Sequence, residues 1–512
     1  MHLIVTCIII TIMTSVSNIL RRHRLNILVC AAFFVLAFAA YYSILNNTFI
    51  GDDFDLIERA NRAHFPDFWP LFVINKVSMR PLTFFVLWIQ SHIFGNQASM
   101  PSHILSVGIH AGCAFLLYWL LGKIRVSKAA AFLTALLFLL TPVAPESVTW
   151  SVVRFDVMVL FFMLLTLGLY ASYLAKRHNG FYFGALAAST AAIFSKEMAI
   201  TLLFIIPAMD FLLGRALIED GSGVVKDDWK TDLRGAVIRL LPFFVPFTIY
   251  FSIRYIAIGK VFGSYKNLVI IGIPNIVATE HSLLTLLSPL NEAIFSNTGI
   301  LYYGCLSLVM VVAATATVVF RWRATSTLTR RIWIFLVFFF IVSFAPIFSQ
   351  VFIMGLNNSL RESRYLYIPT MGFIAIIVVG LLEFGWKKNF WRIPVIASLL
   401  VVAPISLFCL NQNNRVWERT ALISYYLPRE TQRLLPDPPQ GAKLYFTGVP
   451  EWSGAYLYTN GLPTSVRWTY GRSDLTVSNP NIVEGKENLN DADVFLFAYD
   501  EENNQLNLIE LR

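Results

Sequence analysis

Long apolar stretches determine the class of fold that this chain can adopt. Runs of about eighteen or more mainly apolar residues recur along most of the sequence, and an α-helix needs a run of that length to cross a bilayer. The composition agrees, because 56% of the residues are hydrophobic and only 14% are charged. Soluble domains carry roughly 25% charged residues. The sequence therefore predicts an all-α polytopic membrane protein.

The apolar runs and the basic loops between them predict about eleven transmembrane helices. We expect them near residues 25–45, 101–122, 129–145, 157–175, 181–194, 198–213, 236–257, 298–320, 331–349, 365–384 and 391–410. The stretch 81–95 is apolar but short, follows a proline and ends at a glycine, which is typical of a helix lying in the membrane interface.

The formal net charge of +9 indicates membrane orientation rather than nucleic-acid binding. Basic residues cluster at every second loop, as the positive-inside rule requires. The clusters contain Arg21, Arg22, Arg24, Lys123, Arg125, Lys128, Lys176, Arg177, Arg321, Arg323, Arg330, Arg331, Lys387, Lys388 and Arg392. The opposite, non-cytoplasmic side then receives 46–100, 142–156, 258–297, 350–364 and everything after 411. We expect membrane lipids, and no nucleic acid, among the partners.

The chain divides into four parts. Residues 1–24 are either an extra apolar segment or, if translation starts at Met13 rather than Met1, a short cytoplasmic tail. Residues 25–411 form the membrane domain, 412–440 a linker, and 441–512 a small, mostly β domain outside the cytoplasm. The last part is predicted from its strand-like runs "AKLYFTGV" and "DVFLFAY", separated by turn residues.

Ionisable residues gather at the predicted outer ends of the helices. Charges close to hydrocarbon are costly and face either a water-filled cavity or one another, so such a set predicts a functional site. The set contains Asp52, Asp53, Asp55, Glu58, Arg80, Glu146, Arg154, Asp156, Lys196, Glu197, Arg361, Glu362 and Arg364. His103 and His110, seven residues apart on the second predicted helix, are more simply hydrogen-bonded core residues than metal ligands.

The adjacent acids Asp52 and Asp53 directly follow the first predicted span. Neighbouring carboxylates raise one another's cost of ionising, and a general base benefits from such a tunable pKa. The pair can activate a hydroxyl, coordinate a divalent cation such as Mg²⁺ or Mn²⁺ through oxygen, or divide these roles. The pattern leaves open whether a metal is used and which of the two aspartates is the base.

Six segments resemble a known family. They are "FIGDDFDLI", "MRPLTFFVLWIQSHIFG", "PSHILSVGIHAGCAFLLYWLL", "PESVTWSVVRFDVMVLFFMLLTLGLYASYL", "FSKEMAITLLFIIPAMDFLL" and "RESRYLYIPTMGF". Together they resemble the GT-C integral-membrane glycosyltransferases, and most closely the protein O-mannosyltransferases and TMTC-type membrane mannosyltransferases. The resemblance extends over residues 25–385, and the TPR repeats of TMTC-type proteins do not follow it.

The resemblance implies a GT-C fold and the following residue roles. Asp53 or Asp52 would be the catalytic base, and Glu146, Asp156 and Glu197 would be acceptor-binding or supporting acids. The donor phosphate would be held by residues drawn from three of the segments: Arg80, Lys196, Arg361, Arg364 and Tyr365.

The implied reaction moves one sugar, a mannose-like hexose, from a polyprenyl-phosphate carrier to a hydroxyl of a protein, glycan or lipid acceptor. It would take place on the outer side of a membrane, which we expect to be a bacterial plasma membrane. A transporter or flippase of lipid-linked sugars is the alternative, and it predicts charges near the bilayer midplane rather than at one surface. A non-catalytic homologue is a second alternative.

Overall fold

A computed structural model of the protein describes most of the chain. The described residues are 24–64, 72–74, 78–217, 229–261, 273–350, 360–385, 389–458, 460–478 and 493–509. The predicted N-terminal tail, with the choice between Met1 and Met13, lies outside these residues except for its last residue. So do the basic residues Lys387 and Lys388.

The described part of the chain is mainly helical, and each of the eleven predicted spans contains a helix. The helices are α1 (Arg24–Ala40), α2 (Asp53–Arg62), α3 (Pro81–Phe94), α4 (Ser99–Lys123), α5 (Lys128–Leu139), α6 (Pro145–Thr149), α7 (Phe155–Lys176), α8 (Asn179–Ser195), α9 (Leu202–Leu217), α10 (Trp229–Ile258), α11 (Ile273–Leu287), α12 (Asn297–Arg321), α13 (Thr327–Gln350), α14 (Tyr367–Glu383), α15 (Asn389–Leu434) and α16 (Leu462–Tyr470). Short 3₁₀ turns, including Ser151–Arg154, Glu197–Thr201 and Ser363–Leu366, connect some of them.

Eight helices in the described part are long and apolar enough to cross a membrane. This confirms the prediction of an integral membrane protein. Helix α5 is shorter than the predicted span 129–145, because it ends at Leu139 and Pro142 follows two residues after Leu140. Proline has no backbone N–H, and it disfavours helical geometry at the residue before it, so the helix does not continue through this point.

Buried hydrogen bonds and small residues align the central helices. His110 on α4 pairs through Nδ1 with the hydroxyl of Tyr367 on α14 at 2.6 Å, and through Nε2 with the Leu139 carbonyl at 3.0 Å. The second contact is one that the protonated Nε2 donates. The interpretation of His110 as a hydrogen-bonded core residue is confirmed. On α7, Gly168 leaves the space that the Trp119 ring of α4 occupies.

The predicted outer segments meet at one end of the helical domain. The Val152 N–H of the 142–156 segment donates to Asp53 in the 46–100 segment at 2.9 Å. The amide of Asn413 donates to the Pro142 and Pro289 carbonyls, both at 2.9 Å, and so joins three of the segments. We call this end the outer end.

Helix α15 continues to Leu434, well beyond the predicted span 391–410 and through most of the predicted linker 412–440. The composition becomes polar after 411, but the helical spacing of buried residues continues. The buried residues Val416, Trp417, Ala421 and Leu427 pack in a hydrophobic cluster with residues of the outer loops and the C-terminal domain. A stripe of apolar residues at three- and four-residue intervals is sufficient to hold a helix against a core, whatever its other face carries.

The C-terminal domain is a small sheet with a helix. Its strands are β3 (Lys443–Thr447), β4 (Thr476–Ser478), β5 (Val494–Asp500) and β6 (Gln505–Ile509), in the order β4-β3-β5-β6, whereas β1 (Val73–Ile74) and β2 (Ser78–Met79) pair separately. β3 runs parallel to β4 and β5, and β6 is antiparallel to β5. The sheet and the strands at "AKLYFTGV" and "DVFLFAY" confirm the predicted strands. Helix α16 was not predicted; it lies in the crossover that parallel strands require.

Substitution of Gly168 by alanine tests the α4–α7 contact. The added Cβ overlaps the Trp119 ring, so we expect a loss of about 1–3 kcal/mol from overpacking and a lower apparent Tm in detergent. The matched control is Gly122→Ala on α4, where a Cβ meets nothing within 4 Å. Equal melting temperatures for the two variants would contradict this packing.

Candidate functional site

Gly51 and Trp150 shape the turn that presents the two aspartates. Gly51 has φ of +54°, a conformation that favours glycine, and a Cβ there would lie 2.8 Å from the Trp150 ring. Its N–H donates to the Leu457 carbonyl of the C-terminal domain at 2.8 Å. Asp52 then precedes α2, and Asp53 is its first residue. The backbone therefore turns sharply at Gly51, between the Trp150 ring and the Leu457 carbonyl of the C-terminal domain.

Asp53 is turned into the protein. Its side chain is 0% exposed, and both of its oxygens accept backbone N–H groups, from Ile50 at 3.1 Å and from Val152 at 2.9 Å. Burial raises its pKa to about 7, although these two hydrogen bonds and the nearby Arg154 favour the ionised form. Asp53 thus connects two outer loops and has little room to reach another molecule.

Asp52 is the accessible member of the pair. It is partly exposed and accepts a hydrogen bond from the Asn460 amide at 3.0 Å. Burial raises the pKa of this carboxyl, while the Asn460 bond and Arg364 act in the opposite direction. Asp52 therefore lies within the electrostatic reach of Arg364, on the side that solvent can reach.

Arg364 lies between two acids. One guanidinium nitrogen is 2.7 Å from Glu146 Oε1, and the other is 2.5 Å from Glu362 Oε2. Glu146 also accepts the Arg364 backbone N–H and the Ser363 hydroxyl, each at 3.2 Å. Burial raises the pKa of Glu146 to about 7, against the effect of Arg364. We call Arg364, Glu146 and Glu362 the arginine–acid cluster.

Aromatic rings surround the arginine–acid cluster. The Arg364 guanidinium carbon lies 5.2 Å from the ring centres of both Trp150 and Tyr365, and 5.7 Å from that of Tyr456. The Tyr456 hydroxyl donates to Glu362 at 2.5 Å. Flat rings beside charged groups form a surface on which both a cation and the apolar face of a sugar can pack.

A second group of charges also lies next to Tyr365. Lys196 pairs with Asp156, and both are buried. The Lys196 ammonium lies 4.8 Å from the Tyr365 ring centre and 4.9 Å from that of Phe155. Arg80 covers the Phe155 ring at 3.6 Å, and its Nε is 3.8 Å from Glu197 Oε2. We call Lys196, Asp156, Arg80 and Glu197 the lysine–arginine cluster.

The structure therefore places all ten predicted site residues at the outer end. Four of them form the lysine–arginine cluster, Arg364 and Glu146 belong to the arginine–acid cluster, and the Tyr365 ring lies next to a cation of each cluster. Arg361 is more peripheral: its Nη2 donates to Glu451 at 3.0 Å, and its Nε donates to the Tyr456 hydroxyl at 3.1 Å.

Sequence reasoning missed the contribution of the C-terminal domain. One short segment, "EWSGAYLYTN", contains Glu451, Trp452, Tyr456 and Asn460. All but Trp452 make hydrogen bonds to the helical domain, with Arg361, Glu362 and Asp52 as the partners. The concentration of acid, amide and aromatic residues within ten positions was the available signal. In the part of the chain that the structure describes, no three His, Cys, Asp or Glu side chains come together as a metal-binding group.

The fold and this site define an integral membrane protein with a charged, aromatic site at one end, bordered by a small C-terminal domain. No protein-family model and no curated protein matches the chain. The solved structures to which it is similar include the oligosaccharyltransferase of Archaeoglobus fulgidus tethered to an acceptor peptide, with a TM-score of 0.44 and 13% identity over 88% of this chain and 64% of the other.

Two further structures of the Archaeoglobus fulgidus enzyme give similar values. The complex with an inhibitory peptide and a dolichol-phosphate has a TM-score of 0.46 and 12% identity over 92% of this chain and 69% of the other. The complex with Zn and sulfate has a TM-score of 0.46 and 12% identity over 88% and 62%. This chain thus spans less than two thirds of the structure with the tethered acceptor peptide. The likeness is too weak to define the fold, and the O-mannosyltransferase resemblance stays a prediction.

Replacement of Asp53 by asparagine tests its role as a connector. An amide nitrogen would face one of the two backbone N–H groups, so a buried donor loses its acceptor and we expect a cost of about 1–3 kcal/mol. Asp52→Asn is the matched control, because its amide oxygen still accepts from Asn460. Thermal unfolding in detergent measures both variants, and equal stability would contradict the assignment.

Stability should also depend on pH through Asp53. Its pKa is raised on folding, so the folded state holds the proton more tightly than the unfolded state and this contribution to stability is lost as pH rises through about 7. We expect the wild-type Tm to fall as pH rises from about 4, the ordinary pKa of this carboxyl, to about 7 and to change little above that, and Asp53→Asn to show a smaller fall. Glu146, with a pKa raised in the same direction, accounts for the remainder. An unchanged slope in the variant would contradict this.

Removal of Arg364 tests the arginine–acid cluster. Arg364→Gln leaves Glu146, which is 1% exposed, without its cation, and breaking a buried pair costs about 3–5 kcal/mol. A second change, Glu146→Gln, removes the unpaired charge, so the double variant should regain part of the lost Tm. Arg433→Gln, from an exposed pair with Glu430, is the control and should leave Tm unchanged. Additive losses in the double variant would count against a direct pair.

Proposed function

We propose that the protein is a membrane glycosyltransferase that moves one sugar from a polyprenyl-phosphate donor to a hydroxyl acceptor at its outer end. The observation that carries this proposal is an accessible carboxylate, Asp52, beside cations at the ends of apolar helices. A lipid-linked phosphate would reach the site from the bilayer, and an acceptor would reach it from solvent. Donor and acceptor would then meet at one surface.

In the proposed reaction, Asp52 is the general base. It takes the proton of the acceptor hydroxyl, whose oxygen attacks the anomeric carbon of the sugar. The bond between that carbon and the phosphate oxygen breaks, and the polyprenyl phosphate leaves with the electron pair. Attack from the face opposite to the phosphate inverts the configuration at the anomeric carbon. Asp52 suits the first step because it is the aspartate that another molecule can approach.

Cations of the lysine–arginine cluster are the proposed contacts of the leaving phosphate. Arg80 is the least compensated of them, because its Nε has no hydrogen-bond acceptor among the described residues and Glu197 is 3.8 Å away. Guanidinium and ammonium groups near the membrane surface stabilise the charge that develops on phosphate oxygens. Tyr365 would add a hydroxyl.

The acids and the remaining arginines have supporting roles in this proposal. Glu146 and Asp156 hold Arg364 and Lys196 in position through the pairs described above, and Glu197 faces Arg80. Arg361 and Arg364 lie on the side of Asp52 and would contact the donor phosphate from there. The sugar is proposed to be a mannose-like hexose, the acceptor a protein, glycan or lipid, and the location a bacterial plasma membrane.

The test is sugar transfer by purified protein in nanodiscs. Radiolabelled polyprenyl-phosphate sugars serve as donors and a crude envelope extract as acceptor, with EDTA, Mg²⁺ and Mn²⁺ arms for the divalent cation. We expect Asp52→Asn to lower kcat by about 10²–10⁴-fold, the contribution of a general base. Asp53→Asn should lower the yield of folded protein more than the turnover of the folded fraction. Asp500→Asn, at an acid of the C-terminal domain whose side-chain hydrogen bonds stay within its own turn, is the matched control and should keep wild-type turnover.

Each other outcome has a defined meaning. Loss in Asp53→Asn with activity kept in Asp52→Asn would make Asp53 the base. Sugar transfer that persists in both variants would support the glycosyltransferase but exclude both aspartates as the general base. Label that crosses the bilayer of reconstituted vesicles without being transferred would favour a transporter of lipid-linked sugars.

A further inference from the structure

The C-terminal domain contacts the start of α2 directly. The Leu457 carbonyl accepts the Gly51 N–H at 2.8 Å, and a Cβ on Gly461 would overlap the Gly51 carbonyl. The Thr464 hydroxyl lies 2.6 Å from an Asp55 oxygen and 3.0 Å from a Glu58 oxygen. These contacts cover both sides of the Gly51–Asp52 turn. We call residues 457–464 the clamp segment; Thr459 lies outside the described residues.

Asn460 in the clamp segment donates its amide hydrogen to Asp52 Oδ1 at 3.0 Å. A hydrogen bond to one oxygen restricts rotation of the carboxylate and leaves the other oxygen to act on another molecule. A bond to a charged acceptor is also stronger than one between neutral groups. The Asp52 side chain does not cap α2, the helix that follows it, so the bond from Asn460 is the described hydrogen bond that orients this carboxylate.

We propose that the C-terminal domain is part of the catalytic site, and that Asn460 is a positioning residue that orients Asp52. This inference rests on the proposed function for its kinetic consequence. Its structural half, that the clamp segment holds the Gly51–Asp52 turn, does not depend on any activity. The two halves can therefore fail separately.

Geometry favours a positioning role over mere domain attachment. The attachment already has its own contacts, including Phe54 against the rings of Trp468 and Tyr458 at 5.7 and 6.2 Å and the Tyr458 hydroxyl on the Ser424 carbonyl of α15 at 2.8 Å. Asn460, by contrast, is exposed, and among the described residues its side chain donates a hydrogen bond to Asp52 alone. An exposed amide adds little to docking, so its effect should fall on Asp52.

A double-mutant cycle tests the kinetic half. We expect Asn460→Ala to lower kcat about tenfold with KM for donor and acceptor unchanged, the size of one hydrogen bond to a charged group. In an Asp52→Asn background the same change should have no further effect, because Asn460 acts through Asp52. Asn460→Asp, which sets a second carboxylate against Asp52, should lower kcat further. Asn507→Ala, at another exposed asparagine of the domain, is the control.

The same fold loss from Asn460→Ala in both backgrounds would overturn the positioning role and indicate a general structural effect. An unchanged kcat would overturn it as well. Neither result would affect transfer by the wild type, which tests the proposed function separately.

Hydrogen exchange at the Gly51 amide tests the structural half without any substrate. The bond to the Leu457 carbonyl predicts slow exchange in the full-length wild type in nanodiscs, and Gly461→Ala should accelerate it. Asn507→Ala should leave it slow. Rapid exchange in the wild type would overturn the clamp even if transfer activity is present. Slow exchange with no transfer would leave the clamp standing and reject the proposed function.

Discussion

One buried carboxylate joins the two loops on which the outer end is built. Asp53 accepts the N–H of Ile50 in its own turn and the N–H of Val152 in another loop. Both donors are away from water, where an unpaired N–H is costly, so a single acid satisfies two demands at once. The price is a raised pKa. The turn that results leaves Asp52 toward solvent, and the adjacent acids therefore occupy different environments.

Compensation of charge governs the rest of the site. Lys196 has Asp156, and Arg364 has both Glu146 and Glu362. Buried ions that lack partners are strongly unfavourable, so the cations and acids of the outer end arrive in sets rather than singly. Rings complete the arrangement: the Tyr365 ring lies next to a cation of each cluster, Lys196 and Arg364. A negatively charged ligand would therefore meet cations that these ion pairs already hold in position.

Particular elements show why sequence reasoning succeeded in some places and failed in others. The spans were predictable because bilayer thickness imposes a length that any apolar run reveals. The extension of α15 to Leu434 was missed because composition changes there while the helical spacing does not. Asp52 and Asp53 could not be ranked, since their difference lies in one turn that depends on Gly51, Trp150 and a partner from a distant loop. Asn460 carried no signal by itself, because an asparagine in a turn is ordinary.

The sequence by itself determined the membrane class, the approximate positions of the long apolar helices and the collection of charges at one end, because apolar length and charge placement act locally along the chain. Only the tertiary structure decided which aspartate is buried, which acid pairs with which cation, and that the C-terminal domain reaches the Gly51–Asp52 turn. Those outcomes depend on contacts between residues far apart in sequence, such as Asn460 and Asp52, which are 408 positions apart. Local sequence patterns do not show which distant residues come together in space, because the packing of the helices and of the C-terminal domain decides that.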